Sequence, residues 1–435
     1  MLRDFKLKID NFGPINKADL AISKINIIAG KNASGKTTIS KLLYCIITAF
    51  STDGEYLTYE SMKDELELLI NNLQIPQSEP KTITNLEEIL IKINLNKNND
   101  LKIIDEGYSD LESIVNSLDF NDKEFFLNSI ERNRTRIRSS EKIGFYWQLL
   151  VNLIRNEFSG DEQLLNNFNE SEILFYNHDN EDPYGYIIRI GEGIGVLPET
   201  KSEKAITTNR EAIYIETPYF LDYKIPFLQF ERYGKKQHHQ SLLYQKLIDQ
   251  SAQNDILDPD KNKEIIEFQN KINELINGKF NFNNNGLLEF KQNNQTFELS
   301  NTSTGLKSLG IIQLLLENRK LKENSYLIMD EPEVHLHPEW QIKLAHILVL
   351  LVKDLNVELF INSHSPQFIE AMEVYSIKYG LRDETNFYLT KKDENSEKYN
   401  VEKIEYDNLY ELYNNLGDPY DVIDQIRGEN LANRL

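Results

Sequence analysis

From residue 5 the chain alternates, with Phe5, Leu7 and Ile9 on one face and Lys6, Lys8 and Asp10 on the other. A period of two predicts a half-buried strand. "NFGPI" turns it, and "KADLAI" resumes an extended run. "KINIIAG" follows, a short β-branched strand ending on glycine. After it, Ile39, Leu42, Leu43, Ile46 and Ile47 recur at helical spacing, which predicts an amphipathic helix.

From about residue 51 to 168 the pattern changes. "MKDELELLINNL", "NLEEILIKINL", "LESIVNSL", "KEFFLNSIERNRTRI" and "YWQLLVNLIRNEF" are helical, with polar joins. Strand signals return at "EILFYN", "YGYIIRI" and "AIYIETPYF", and "GEGIGV" reads as a turn between strands. A second helical stretch covers about 240–277, with Gly278 as its expected stop. "KFNFNNNGLLEF" predicts a hairpin turning at Asn285-Gly286. Then come a helix "GLKSLGIIQLLLENR" beginning near Leu306, the strand "SYLIMD", the helix "PEWQIKLAHILVLLVKDL" and the strand "VELFINS". "NFYLTKK", "VEKIEY" and the helix "DNLYELYNNL" close the pattern, and "DPYDVIDQIRG" reads as a solvated terminal helix. Sheet, helices, sheet, helices, sheet is the order of one α/β core carrying two helical insertions.

Composition narrows the function classes. The chain has 435 residues, 40% of them hydrophobic, enough for a large core. A net charge of −21 argues against non-specific coating of nucleic acid, so any such contact needs a local basic patch. The single cysteine, Cys45, excludes a disulfide framework and a multi-cysteine metal site. No apolar run approaches the ~20 residues of a membrane span, and the start lacks a signal-peptide pattern. These features predict a cytoplasmic protein without a membrane partner.

"GKNASGKT", Gly30–Thr37, fits G-x-x-x-x-G-K-[ST] at every fixed position, with a strand before it and a helix after. Such a loop turns backbone N–H groups, here including those of Asn32, Ser34, Gly35, Thr37 and Thr38, toward phosphate oxygens at a helix N-terminus. Lys36 is then expected to reach the β- and γ-phosphates, and the Thr37 hydroxyl to bind Mg²⁺. "YLIMDE" is an apolar strand ending in two carboxylates. Placed beside the loop's strand in a parallel sheet, it delivers Asp330 to the Mg²⁺ shell and Glu331 to an attacking water. His335 and His337 stand two apart in a proline-bounded turn, which does not suit zinc, so they are read as shaping that turn. "VELFINSHSP" brings His364 to the same sheet edge, where a neutral imidazole can hydrogen-bond a γ-phosphate. "STGLK" places Ser303, Thr304, Gly305 and Lys307 at a second helix N-terminus.

Together "GKNASGKTT", "STGLK", "LIMDEPEVHLHP" and "INSHSP" resemble the ATP-binding-cassette (ABC) ATPase head. The likeness is to its SMC-like and OLD-family (overcoming lysogenization defect) branch, which is similar to the ATPase components of anti-phage systems such as Septu and PARIS. The "FKLKIDNFGPINKADLAI" lead-in also resembles that branch. The motif-bearing parts cover roughly 1–50 and 296–370. The resemblance implies an ABC-type P-loop head with a mixed sheet and helical insertions. Residues 1–50 and 171–235 would form one ATPase lobe and 296–435 the second. Residues 51–170 would be a helical insertion, and 236–295 a helical arm and hairpin. It implies Gly30–Thr37 as Walker A, Asp330 as the Walker B carboxylate, Glu331 as catalytic base and His364 as switch histidine. Ser303, Thr304, Gly305 and Lys307 would be a signature facing the partner's ATP, with Thr304 where the family has glycine. Glu216, ending "AIYIETP", is the candidate for the Q-loop position.

ATP and Mg²⁺ are thus the implied ligands, and a head-to-head dimer or higher homo-oligomer the implied assembly. The 71 residues after His364 leave little room for a nuclease domain. A separately encoded effector, a nuclease or toxin, is therefore expected, with the ATPase as a sensor or switch. The alternative is an SMC-like DNA repair or chromosome-maintenance ATPase, and a transporter's nucleotide-binding subunit ranks third. Arg132, Arg134, Arg136 and Arg138 form the chain's one dense cationic cluster. It is read as a solvated, carboxylate-paired face, or as a patch for nucleic acid or an acidic trigger protein.

Overall fold

The computed structural model describes residues 5–73, 80–95, 100–120, 122–138, 142–158, 171–177, 185–190, 194–198, 210–218, 221, 238–249, 259–283, 288–293, 295–299, 302 and 304–417, with backbone alone at some, among them Arg136, Arg138 and Thr304. The chain opens with β1 (Phe5–Phe12), β2 (Ile15–Ile22), β3 (Ile25–Ala29) and α1 (Lys36–Ala49). Helices α2 (Thr52–Asn72), α3 (Pro80–Asn94), α4 (Leu101–Ser117), α5 (Lys123–Arg138) and α6 (Lys142–Phe158) follow. Then come β4 (Ser171–Asn177), β5 (Gly185–Ile190), β6 (Ile194–Pro198), β7 (Glu211–Ile215), α7 (His239–Ile248) and α8 (Pro259–Ile276). β8 (Lys279–Phe282), β9 (Leu288–Gln292), β10 (Gln295–Glu298), α9 (Thr304–Glu317) and β11 (Ser325–Asp330) come next. The last are α10 (Pro338–Leu355), β12 (Glu358–Ser363), α11 (Pro366–Lys378), β13 (Thr385–Lys392) and β14 (Tyr399–Ile404).

The elements form two compact units: Met1–Ile47 with Ile154–Glu203 and Thr208–Leu435, and Thr48–Leu153 with Lys204–Thr207. The first holds a mixed sheet in the order β6-β5-β4-β1-β2-β14-β13-β3-β12-β11-β7. β13, β3, β12, β11 and β7 run parallel to one another, β14 is antiparallel to β13 and parallel to β2, and β2, β1, β4, β5 and β6 form antiparallel ladders. In β1 Phe5, Leu7 and Ile9 are buried, as their alternation predicts. β3 and β11 are buried at every position, which explains their unbroken apolar runs: parallel strands are covered on both faces. Leu344, Leu348 and Leu351 of α10 and Phe368 and Met372 of α11 share one core with Ile27, Leu327 and Leu359 of the sheet.

Two expectations change here. β11 does not lie beside β3; β12 sits between them, Ile361 opposite both Met329 and Ile27. The two motif-bearing strands are thus next but one, and both still end at the same sheet edge. Gly278 is also not the left-handed residue that stops α8. Asn277 takes that conformation, at φ +48, and Gly278 is small because a Cβ would meet the Phe290 ring.

β8 and β9 pair antiparallel as the hairpin pattern predicts, and β10 adds a third strand. The Asn285-Gly286 turn itself, the turn after β5 and the expected terminal helix lie outside the described residues. α9 begins at Thr304, two residues before the expected start.

The second unit has its own core, in which Tyr59, Leu66, Ile93, Tyr108 and Ile130 are almost wholly buried. Arg134 of α5 is engaged there: Nε lies 3.1 Å from Asp105, and the guanidinium also contacts Glu112. Arg132 is exposed, while the side chains of Arg136 and Arg138 lie outside the described set. Of the cationic cluster, one member is therefore already neutralised by carboxylates of its own unit.

Candidate nucleotide-binding site

The loop from Gly30 to Gly35 joins the buried end of β3 to α1. Two glycines are sterically required there. A Cβ on Gly30 would overlap Thr390 Oγ1, and Gly35 sits at φ +91 with Ile15 and Pro14 packed against it. Ala33 takes a left-handed φ of +59 between them. The loop is pinned from β13, where Thr390 donates a 2.8 Å hydrogen bond to Ser34. The result is a tight backbone cradle at the start of a long helix, a geometry that suits an oxyanion.

Beside it is a cavity of about 570 Å³ lined by Pro14, Asn32–Thr38, Glu216, Asp330 and Glu331. Lys36 reaches into this region, its Nζ donating to the carbonyls of Gly30 at 2.9 Å and Lys31 at 3.0 Å. The same Nζ stands 3.5 Å from Glu331 Oε1. Burial pushes the Lys36 ammonium down, and the nearby carboxylate of Glu331 opposes that shift.

Asp330 ends β11 almost completely buried. Burial raises its pKa, against hydrogen bonds from Tyr214, Thr37 and Ser40. Tyr214 donates to Oδ2 at 2.8 Å, and Asn362 of β12 donates to Oδ1 and to Ser40. A threonine hydroxyl bonded to a buried carboxylate is an oxygen donor set suited to a hard divalent cation. With the glycine cradle and Lys36 alongside, the residues present fit a magnesium-bound polyphosphate.

Glu331 is held in the left-handed region at φ +46, its N–H donating to Asn362 O at 2.9 Å. His335, φ +63, is a second such residue in the same turn. Non-glycine residues in this region typically carry strain of about 1–3 kcal/mol and gather at functional sites. The turn aims Glu331 at the cavity. His364, just past β12, places Nδ1 3.1 Å from Glu331 Oε1. His364 holds the Glu331 carboxyl below its usual range, and Glu331 raises the His364 imidazole. Glu331 thus draws this imidazole toward its charged form, whereas the sequence reading has it neutral at a γ-phosphate. Behind this pair Glu333 is buried with a raised pKa, accepting a hydrogen bond from Ser363.

His337 caps α10, its Nδ1 accepting from the Glu339 N–H, and Pro338 occupies the first helical position. His337 thus serves the start of α10, and His335 takes its left-handed φ within the turn before it. Gly305 of α9 meets this same turn, where a Cβ would strike Leu336. Lys307 is buried nearby in α9. Ser303 and the Thr304 side chain lie outside the described residues.

Sequence reasoning missed the groups behind Glu216. This carboxylate lines the cavity and pairs with Lys41 at 2.8 Å and with His239 Nε2 at 3.3 Å. Burial raises its pKa, but His239 and Lys41 outweigh that and bring it to about 2. Adjacent histidines heading a helix, "QHHQSLL", were the available signal.

A family model for the AAA ATPase domain, AAA_15, matches residues 5–369, and the chain belongs to that family. Its class is thus an ATPase domain, and the P-loop cavity lies within the matched span. Similar solved structures include an "SmcHead" bound to the C-winged helix domain of ScpA, at 11% identity and TM-score 0.45, covering 93% of this chain and 98% of that one. The SMC head domain from Thermotoga maritima matches at 11% identity and TM-score 0.38, covering 93% and 99%. The Smc head from Pyrococcus furiosus with an extended coiled coil, bound to the C-terminal domain of ScpA, matches at 12% and 0.42, covering 98% and 100%. No curated protein sequence matches the chain.

Proposed function

We propose that this protein binds ATP with Mg²⁺ in the Gly30–Thr37 cavity, hydrolyses it, and uses the cycle as a switch. The observation that carries hydrolysis is the placement of Glu331 between Lys36 and His364, at 3.5 and 3.1 Å, beside the glycine cradle. In this reading Asn32, Ser34, Gly35, Thr37 and Thr38 hold the phosphates through their N–H groups, and Lys36 holds the β- and γ-oxygens. Thr37 and Asp330 hold Mg²⁺, which neutralises charge on those oxygens. Glu331 accepts a proton from water, and His364 orients Glu331 and senses the terminal phosphate.

Two copies close head to head. Ser303, Thr304, Gly305 and Lys307 of one face the nucleotide of the other, and hydrolysis reopens the pair. The switch controls a separately encoded effector, a nuclease or toxin, in anti-phage defence. The motif resemblance supports this setting, and the contact of Gly305 with Leu336 supports a coupling between α9 and the turn after β11.

The test uses Glu331→Gln, purified with ATP and Mg²⁺ alongside its genomic neighbours. Turnover should fall by about 10²–10⁴-fold, the range for losing a general base. ATP should stay bound, and a dimer carrying a protein effector should accumulate. Unchanged turnover would remove Glu331 from the mechanism. A persistent monomer would remove the head-to-head dimer. Nucleic acid without a protein partner would favour an ATPase acting directly on DNA.

A further inference from the structure

Beneath the nucleotide cavity lies a second cluster that the ATPase chemistry does not use. Glu157, in the last turn of α6, and His239, the first residue of α7, have fully buried side chains. His238, capping α7, is 14% exposed at the side chain. Glu157 Oε2 stands 2.6 Å from His239 Nδ1 and 3.7 Å from His238 Nε2. One ligand atom from each of the three residues falls within 4.8 Å of the others. The two imidazole rings lie side by side, with centroids 4.3 Å apart.

We propose that Glu157, His238 and His239 form a binding site for a divalent transition metal of the zinc class. Two imidazole nitrogens and one carboxylate oxygen are a donor set such ions prefer. The surrounding shell is also in place. A metal-bound histidine characteristically gives its other ring N–H to a carboxylate, and His239 Nε2 faces Glu216 Oε2 at 3.3 Å. The ligand carboxylate is itself fixed, its Oε1 accepting the His239 backbone N–H at 2.7 Å. His238, partly exposed, gives the ion a path from solvent, and water would supply the fourth ligand.

Donors around a tetrahedral zinc, each about 2.0–2.1 Å from the ion, stand about 3.3 Å apart, so the 2.6 Å His239–Glu157 pair must open slightly. The ion takes the place of the proton shared by that pair, and one proton leaves to solvent. The exchange raises the charge of the cluster by one, which Glu157 and Glu216, facing Lys41 and the ion, offset in part. Tyr214 joins the two sites. Its ring lies 4.5 Å from that of His239, and its hydroxyl bonds Asp330. A bound ion would therefore brace Glu216, at the cavity wall, and Tyr214, buried behind Asp330. The inference does not depend on ATP hydrolysis.

Full-length protein, prepared without a polyhistidine tag and dialysed, should retain about one equivalent of zinc per chain by elemental analysis. Cobalt(II) added to metal-stripped protein should give the visible absorption of a low-symmetry nitrogen–oxygen site, with release of a proton. His238→Ala, at the exposed rim, should abolish both signals, whereas Lys36→Ala should keep them. Wild-type protein that neither retains zinc nor develops the cobalt band would overturn the site and leave a buried ion pair. So would a folded His238→Ala protein that still holds the metal. If that variant does not fold, the wild-type cobalt titration decides.

Discussion

The cavity has two ionic walls built to the same plan. On one, Glu331 sits between Lys36 and His364; on the other, Glu216 sits between Lys41 and His239. Their settings differ. His364 is 41% exposed at the side chain and sits on the turn after β12, whereas His239 is fully buried and anchored to Glu157. In the proposed cycle the first wall would exchange partners as phosphate arrives and leaves. The second is held more tightly, because leaving the buried His239 or Glu157 without a charged partner is strongly unfavourable. The same three residue types thus make a reactive wall and a bracing wall, and burial decides which.

The largest expected effect divides the walls chemically. Glu331→Gln should lower ATP turnover by about 10²–10⁴-fold, while Glu216→Gln should lower it by about tenfold or less. Equal losses in a steady-state phosphate-release assay would break the comparison. Gly35→Ala tests the cradle between the walls. The added methyl meets Ile15 at a φ of +91, so nucleotide affinity should collapse in calorimetry. The melting temperature should also fall, by an amount reflecting about 1–3 kcal/mol of strain.

His364→Gln sharpens the first wall through pH. His364 has a raised folded pKa, so the stability it gains from Glu331 is complete below its unfolded value near 6.5. That stability is lost as pH rises through the folded value. Wild-type stability should therefore decline on the alkaline side by more than that of the variant, measured by denaturant titration at several pH values.

The smallest effect concerns the sheet edge that carries Glu216. Burial raises the Glu211 pKa, but Lys246 and Lys322 outweigh it and hold the carboxyl below its usual range. This contribution is present above the unfolded carboxylate value and fades as pH falls through the folded one. Glu211→Gln should cost about 1 kcal/mol near neutral pH and flatten the acid limb. An unchanged acid limb would separate Glu211 from the wall's stability.

What was legible in the sequence was local. The phosphate cradle must be contiguous, so "GKNASGKT" shows it, and each apolar strand carries its own carboxylates or histidine to the sheet edge. The meeting of Glu331 with His364 follows from two neighbouring strands that end together. Strand order was not legible, because a helix-linked crossover can place β12 on either side of β11 without altering any residue pattern. The second wall was illegible for a related reason. Glu157 and His239 are 82 residues apart, and no spacing rule spans that gap. The arginine run shows the opposite limit: its charge was plain, yet only the fold revealed that Arg134 is already paired with Asp105 and Glu112.

The position of β13 and β14 between β2 and β3 has a consequence for biosynthesis. The cradle leaves the ribosome early, but Thr390, which pins it, is made some 350 residues later. Until β13 is inserted, β3 lacks one parallel neighbour and Ser34 lacks its anchor. Pairings this distant in sequence close slowly. In the proposed reading, nucleotide binding should therefore emerge only after the nascent chain has passed residue 404.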